Sequence, residues 1–227
     1  MKKFSIYILA TVSLFVLFGC QGGPLDNPKE KVIYDLGSIP SYSGKAYVVL
    51  NNNEPYFDEE YKSIESGFEV YGELDALGRC TRAFAKVGPE TMPTEERGSI
   101  GSIKPSGWQS VKYDIVNGKY LYNRCHLIGF QLTGENVNNL ITCTRQTNSG
   151  VMLRFENRVA SYVEDTGNHV LYRSTPIFEG DNLLASGLVL EALSIEDSGK
   201  GIKFNVYLYN VQDGIEIDYR TGKSSLK

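Results

Sequence analysis

The stretch NRCHLIGFQLTGEN (123–136), continued by NLITCTRQTN (139–148) and RFEN (154–157), decides how this chain is read. Residues 118–122 begin a strand that runs toward His126, and residues 139–143 form a second apolar, β-branched run. Val151, Met152, Phe155, Val159, Tyr162 and Val163 then fall on one stripe at helical spacing. Thr147 or a neighbour is placed to cap that helix, and Gly167 to end it. Two short β-type runs are thus followed by one amphipathic helix.

Outward from this centre the chain is mostly β. Residues 46–50 are a short β-type run closed by the turn cluster Asn51-Asn52-Asn53, and 57–67 is a candidate short helix. Residues 79–87 are ambiguous between strand and helix. Residues 88–107 carry three Pro and four Gly and predict a long loop. After the helix, residues 170–172, 184–193, 202–209 and 215–219 are apolar or β-branched runs separated by turn residues. Strands, a helix and then more strands predict an α+β fold with a mainly antiparallel central sheet, and not alternating βαβ units.

The chain has two His. His169, opening a strand in Asn168-His169-Val170-Leu171, reads as a core-edge imidazole. His126 has different company. Its neighbour Cys125 cannot be a nucleophile that it activates, because adjacent residues on a strand point to opposite faces. Zinc is excluded by the lack of paired Cys or His at ligand spacing. What remains around His126 is a set of hard-oxygen and cationic groups. Asn148 and Glu156 lie two α-helical turns apart and about 80° around the axis, near one face. Their oxygens suit Mg²⁺, which keeps several of its waters. Arg124 and Arg145 offer planar donors to phosphate oxygens.

These segments resemble the DNA/RNA non-specific endonuclease family, which includes the streptodornases and the DNA-entry nucleases. Its hallmark is an Asp-Arg-Gly-His signature within a ββα-metal motif. The flanking LDALGR (74–79), MPTEERGSIG (92–101), KPSGWQ (104–109) and TPIFEGDNLLASG (175–187) also resemble the streptodornase branch, so the likeness covers nearly all of residues 32–220. Carried over residue by residue, it implies that Asn148 is the only direct protein ligand of one Mg²⁺, for which Mn²⁺ could substitute. Asn139 and Glu156 would orient metal-bound waters or the ligand, His126 would be the general base, and Arg124 would stabilise transition-state charge. Arg79 and Arg145 are candidate phosphate contacts. The implied activity is sequence-non-specific hydrolysis of phosphodiester bonds in DNA and RNA. Two departures from the signature stand out: Asn123 replaces its Asp and Cys125 its Gly. Cys143 also stands where the second strand would carry Gly, and could crowd the site or pair with Cys125. These changes motivate an alternative, a catalytically impaired surface module for nucleic-acid binding or DNA uptake.

The N-terminus and the charge distribution bear on where such a protein works. Lys2 and Lys3 precede an apolar run from Phe4 to Gly19 that ends in Leu17-Phe18-Gly19-Cys20. This fits a lipoprotein signal peptide over residues 1–20, with Cys20 lipidated, residues 21–31 as a flexible tether and 32–227 as the nuclease domain. An uncleaved anchor and an ordinary signal peptide are the alternatives. All three place the chain outside the cytoplasm, lipid-anchored at the cell surface or secreted. Without Cys20, three Cys remain, so at least one stays unpaired within the chain. The formal net charge of −4 is unevenly distributed. Residues 79–158 carry eleven Lys and Arg against six Asp and Glu, +5, while the remainder carries twelve against twenty-one, −9. A basic face on an acidic body suits contact with nucleic-acid phosphates and broad substrate tolerance. The expected partners are DNA and RNA through their backbones, and a membrane through the lipid alone. No protein partner is evident.

Overall fold

A computed structural model describes Gly37, residues 39–134 and residues 137–227. The proposed signal peptide, the lipidated Cys20 and the tether lie outside the described residues. In chain order the elements are β1 (Tyr47–Val49), α1 (Glu59–Ser63), β2 (Phe68–Tyr71), β3 (Ala83–Val87), β4 (Tyr122–His126), α2 (Phe130–Thr133) and β5 (Leu140–Thr144). A π-helical segment (Gln146–Met152) leads into α3 (Leu153–Thr166). Then come β6 (Val170–Ile177), β7 (Gly187–Ser194), β8 (Lys203–Tyr209), β9 (Ile215–Ile217) and β10 (Ser224–Leu226). The α+β class and the antiparallel sheet are as the sequence predicts. The ambiguous stretch 79–87 resolves to the strand β3, and most of the Pro/Gly-rich segment 88–107 has no regular structure.

The sheet has six strands in the order β1-β8-β7-β6-β3-β2, every adjacent pair antiparallel. Alternation along the strands divides its side chains between two cores. On one face Ala83, Ala85, Tyr172, Leu190 and Phe204 pack with Phe155, Val159 and Val163 of α3. On the other, Phe84 and Leu171 meet Phe57, Tyr61 and Phe68, which arrive with α1 and β2. Phe84 is the hub, with ring centroids 4.9 Å from Tyr61 and 5.2 Å from Phe68. Covered on both faces, β6 is buried along most of its length, Arg173 and Ser174 included. Burying each large apolar side chain of the α3 stripe contributes about 1.5–3 kcal/mol, which is what fixes the helix against the sheet.

The strands β4 and β5 form a separate two-stranded ribbon, with Cys125 opposite Ile141 and Asn123 opposite Cys143. Cys125 and Cys143 are joined by a disulfide, Cα–Cα 5.8 Å, diagonally across that register. Both are fully buried in the main core, so Cys143 supports the ribbon from behind and does not crowd the face that carries His126. Cys80 is the free cysteine among the described residues. Its thiol donates to the Leu140 carbonyl (3.1 Å), and burial pushes it up to about 11.

The helix start differs from expectation. No side chain caps it, and instead of regular α winding the chain makes a π-helical segment in which the Leu153 N–H reaches the Asn148 carbonyl. Thr147 does not cap: its hydroxyl donates to the Tyr209 carbonyl (2.9 Å), while Thr144 Oγ1 accepts from the Thr147 N–H (3.1 Å). Gly167 ends α3 as expected, in the left-handed region at φ 68°, with its N–H on the Val163 carbonyl. His169 also keeps its structural reading. Its Nδ1 meets Glu196 (2.6 Å) and its Nε2 meets Glu90 (3.1 Å), which ties the base of the 88–107 segment to the turn after β7.

Candidate active site

Strand parity puts Arg124 and His126 on one face of β4 and Cys125 on the other. The chain then leaves the strand through Leu127 and Ile128, both buried, and starts α2 at Gly129. Opposite stands the start of the long helix, which presents Asn148 from the π-helical segment and Glu156 from the first turn of α3. Between them lies a cavity of about 220 Å³ lined by Arg97, Arg124, His126, Phe130, Asn148 and Glu156, among others. Four of the residues singled out in the sequence therefore converge.

Each has a definable state. His126 is 7% exposed, and its Nδ1 lies 3.3 Å from Nη2 of Arg97. A guanidinium can only donate, so Nδ1 is the acceptor in that contact. Glu156 is equally buried, and burial pushes its carboxyl up to about 7, opposed by the charge of Arg97 and by the Gly129 N–H. Gly129 has to be glycine here, because a Cβ would come within 2.8 Å of that carboxylate. Asn148 is part-buried, and no side-chain hydrogen bond is described for its carboxamide. Arg124 lies over Trp108, 4.1 Å from the ring centroid, and donates to the carbonyls of Ile103 and, at 2.6 Å, Gly101. It thus orders the 101–103 turn while forming one wall of the cavity.

Three expected site residues have other roles. Asn139 does not face the cavity. Fully buried, its Nδ2 donates to the Ile128 carbonyl (2.7 Å) and its Oδ1 accepts from the Ile128 N–H (2.9 Å). It clamps the turn that follows His126 and does not line the cavity. Arg79 is held by Asp75 (2.6 Å) and by the carbonyls of Gly180 and Asn182, over the Phe178 ring. Its donors serve the fold, and it does not line the cavity. Arg145 donates to Asn123 (3.1 Å) and packs on Gly118, also away from the cavity. This gives Asn123 a structural part.

Arg97 was not anticipated as a site residue. In sequence it stands among charged neighbours in a loop with no periodicity, and only MPTEERGSIG as a block pointed toward it. Among the described residues there is no cluster of three His, Cys, Asp or Glu that could hold a metal. An unpartnered Asn148 oxygen beside a buried carboxylate fits a hard divalent cation that keeps most of its waters.

A strand pair, a following helix and this cavity define a ββα-metal nuclease fold, and the chain belongs to the DNA/RNA non-specific endonuclease family, which residues 59–195 match. It is similar to a deoxyribonuclease of Streptococcus dysgalactiae subsp. equisimilis, 31% identical over 197 residues, 67% of this chain and 59% of that one. The chain thus spans less than two-thirds of that relative's length. Solved structures share the fold. NucA from Streptococcus agalactiae with no metal bound has a TM-score of 0.71 at 24% identity, covering 85% of this chain and 92% of NucA. The same protein with magnesium bound gives 0.69, covering 79% and 86%. The Sda1 nuclease with bound zinc gives 0.64 at 26% identity, covering 80% and 96%.

Proposed function

We propose that this chain is a divalent-metal-dependent endonuclease, using Mg²⁺, that hydrolyses phosphodiester bonds of DNA and RNA without sequence preference, outside the cell. The observation that carries the reading is the convergence of buried His126, unpartnered Asn148 and buried Glu156 on one cavity. Asn148 would hold the cation, with Glu156 beside it. When bound, the cation supplies charge neutralisation on the phosphate. His126 takes the proton from the attacking water, which a neutral imidazole can do at physiological pH. Arg124, fixed by Trp108 and two carbonyls, presents positive charge to the phosphate wall of the cavity. Asn139 keeps the post-His126 turn in place. Phosphate contacts of this kind read the backbone and not the bases, which supports broad specificity. The S. agalactiae NucA structure with magnesium and the Sda1 structure with zinc support a divalent ion here. Nuclease neighbours described as extracellular support export, in line with the apolar N-terminal run, for which we propose lipidation at Cys20.

Cys143 and Cys125 lie behind the ribbon, in the core and away from the face that carries His126, which favours the active-nuclease reading over the impaired module. The test is digestion of plasmid DNA and of structured RNA by the purified chain with Mg²⁺ and with EDTA. Cleavage of both, abolished by chelation, is expected. Undiminished cleavage in EDTA, or none with metal, would overturn the reading.

A further inference from the structure

The first two turns of α3 carry two arginines that lie outside the cavity. Arg154 and Arg158 are exposed and stand one turn apart on the outer face of the helix. Arg154 directly follows Leu153, which lines the cavity and is 41% exposed. Among the described residues no carboxylate meets either guanidinium, and the one contact described is Arg158 over the Phe204 ring, 5.9 Å from its centroid. The helix positions three and four residues from each arginine hold no Asp or Glu. Glu156 projects about 160° away around the axis, into the cavity. Helix stability does not explain the pair. Like charges at i and i+4 repel, while Glu164 and Asp165 occupy the last turn, where the helix dipole favours cations. Elsewhere the fold engages its arginines: Arg79 with Asp75, Arg124 with two carbonyls, Arg145 with Asn123 and Arg173 with Glu191. Two unpaired guanidinium groups on a chain of net charge −4 offer their donors to an anion from outside the protein.

An exposed aromatic ring adjoins them. Tyr47, in the edge strand β1, is 42% exposed and stands edge-on to Phe155 of α3, ring centroids 5.3 Å apart. Phe155 packs in turn on Phe204 at 4.9 Å, the ring beneath Arg158. Tyr47 and Arg158 therefore flank one aromatic group. Cations in a row with an aromatic ring beside them suit single-stranded nucleic acid, whose phosphates meet the cations while a base stacks on the ring. We propose that Arg154 and Arg158 form a track for single-stranded nucleic acid that leaves the cavity over Leu153 and crosses the outer face of α3. Two phosphates of one strand sit on the arginines, and a base stacks on Tyr47. The inference deepens the nuclease reading and rests on it. Because the track lies outside the cavity, it holds the polymer without touching the bond that is cut, and it favours long strands over short ones.

The test uses the full chain and thymidylate oligomers of about 20 and about four nucleotides, with cleavage measured in Mg²⁺ and binding of the longer strand in EDTA. Arg154→Gln combined with Arg158→Gln is expected to lose about ten-fold in kcat/KM on the longer strand, carried by KM, and much less on the shorter one. In EDTA its slope of log affinity against log salt is expected to flatten by about 1.4, two phosphates at about 0.7 each. Arg154→Lys combined with Arg158→Lys should keep the parental slope. Tyr47→Leu is expected to weaken binding of the longer strand about five-fold with the slope unchanged. Removing the two arginines should leave the thermal transition where it is or raise it, since their repulsion is relieved. Lys62→Gln is the control: it removes a positive charge from α1, which packs on the opposite face of the sheet from α3, and should change none of these values. A parental slope in the double Gln variant, an equal loss on both oligomers, a lowered thermal transition, unchanged affinity in Tyr47→Leu or an equal effect from Lys62→Gln would overturn the proposal. The plasmid assay is read separately: absent cleavage by the parent sinks the nuclease reading, while binding in EDTA still judges the track.

Discussion

At the scale of single residues, the cavity separates groups that act from groups that hold others in place. His126 is the proposed base, so His126→Ala should lower cleavage about 10²–10⁴-fold with an unchanged thermal transition. A smaller loss would assign the proton to another group. Glu156 permits a stability measurement independent of turnover. Its folded pKa of about 7 lies above the unfolded value of 4.5, so its contribution is fully present below pH 4.5 and is lost as pH rises through about 7. Glu156→Gln should therefore gain stability over the parent across that window, on the order of 1–3 kcal/mol by pH 8, with no difference at pH 4. Urea unfolding at the two pH values checks this, and an equal difference at both would rule out a buried charge as the cause. His126, Asn148 and Glu156 were legible in the sequence because their spacing belongs to the motif. The roles of Asn139 and Arg79 were not. An amide that closes on one backbone unit, and an arginine anchored to two carbonyls more than a hundred residues away, are set by tertiary contacts that no local pattern encodes.

Among the elements, the β4–β5 ribbon and α3 frame the candidate site, and both were readable in outline from apolar runs and helical periodicity. The disulfide was not, since three cysteines allow three pairings and only the strand register selects one. It closes an 18-residue separation, for which chain entropy gives a stabilisation of about 3 kcal/mol. Replacing both Cys125 and Cys143 by Ala should lower stability by about that amount. The deficit in cleavage should be smaller than that in stability at temperatures where the variant is folded, because both side chains point away from the catalytic face. Paired denaturation and activity curves would show it. Loss of cleavage from a fully folded variant would instead make the ribbon's rigidity part of catalysis.

For the molecule as a whole, the basic surplus of residues 79–158 is smaller in space than in sequence. Lys86 is buried and donates to the Ile64 carbonyl, and Arg79 is paired with Asp75, which lies outside the segment. Few phosphates should therefore be neutralised at once. Plotted as log of affinity against log of salt, binding to single-stranded DNA should fall with a slope of about −2 to −3, at about −0.7 per phosphate contact. A slope near zero would remove the phosphate backbone as the main determinant. The winding of residues 146–152 has a last consequence. A π-helical turn behaves as one residue added to an α-helix and kept. Deleting Gly150 would let the segment relax to ordinary winding, in which Asn148 and Glu156 stand seven residues apart and within about 20° of one face. Circular dichroism should register almost no loss of helix, and Mn²⁺ binding should survive; its disappearance would show that the π winding itself aims Asn148. A lineage could in this way shed three bases here without changing the identity or the facing of any residue that lines the cavity.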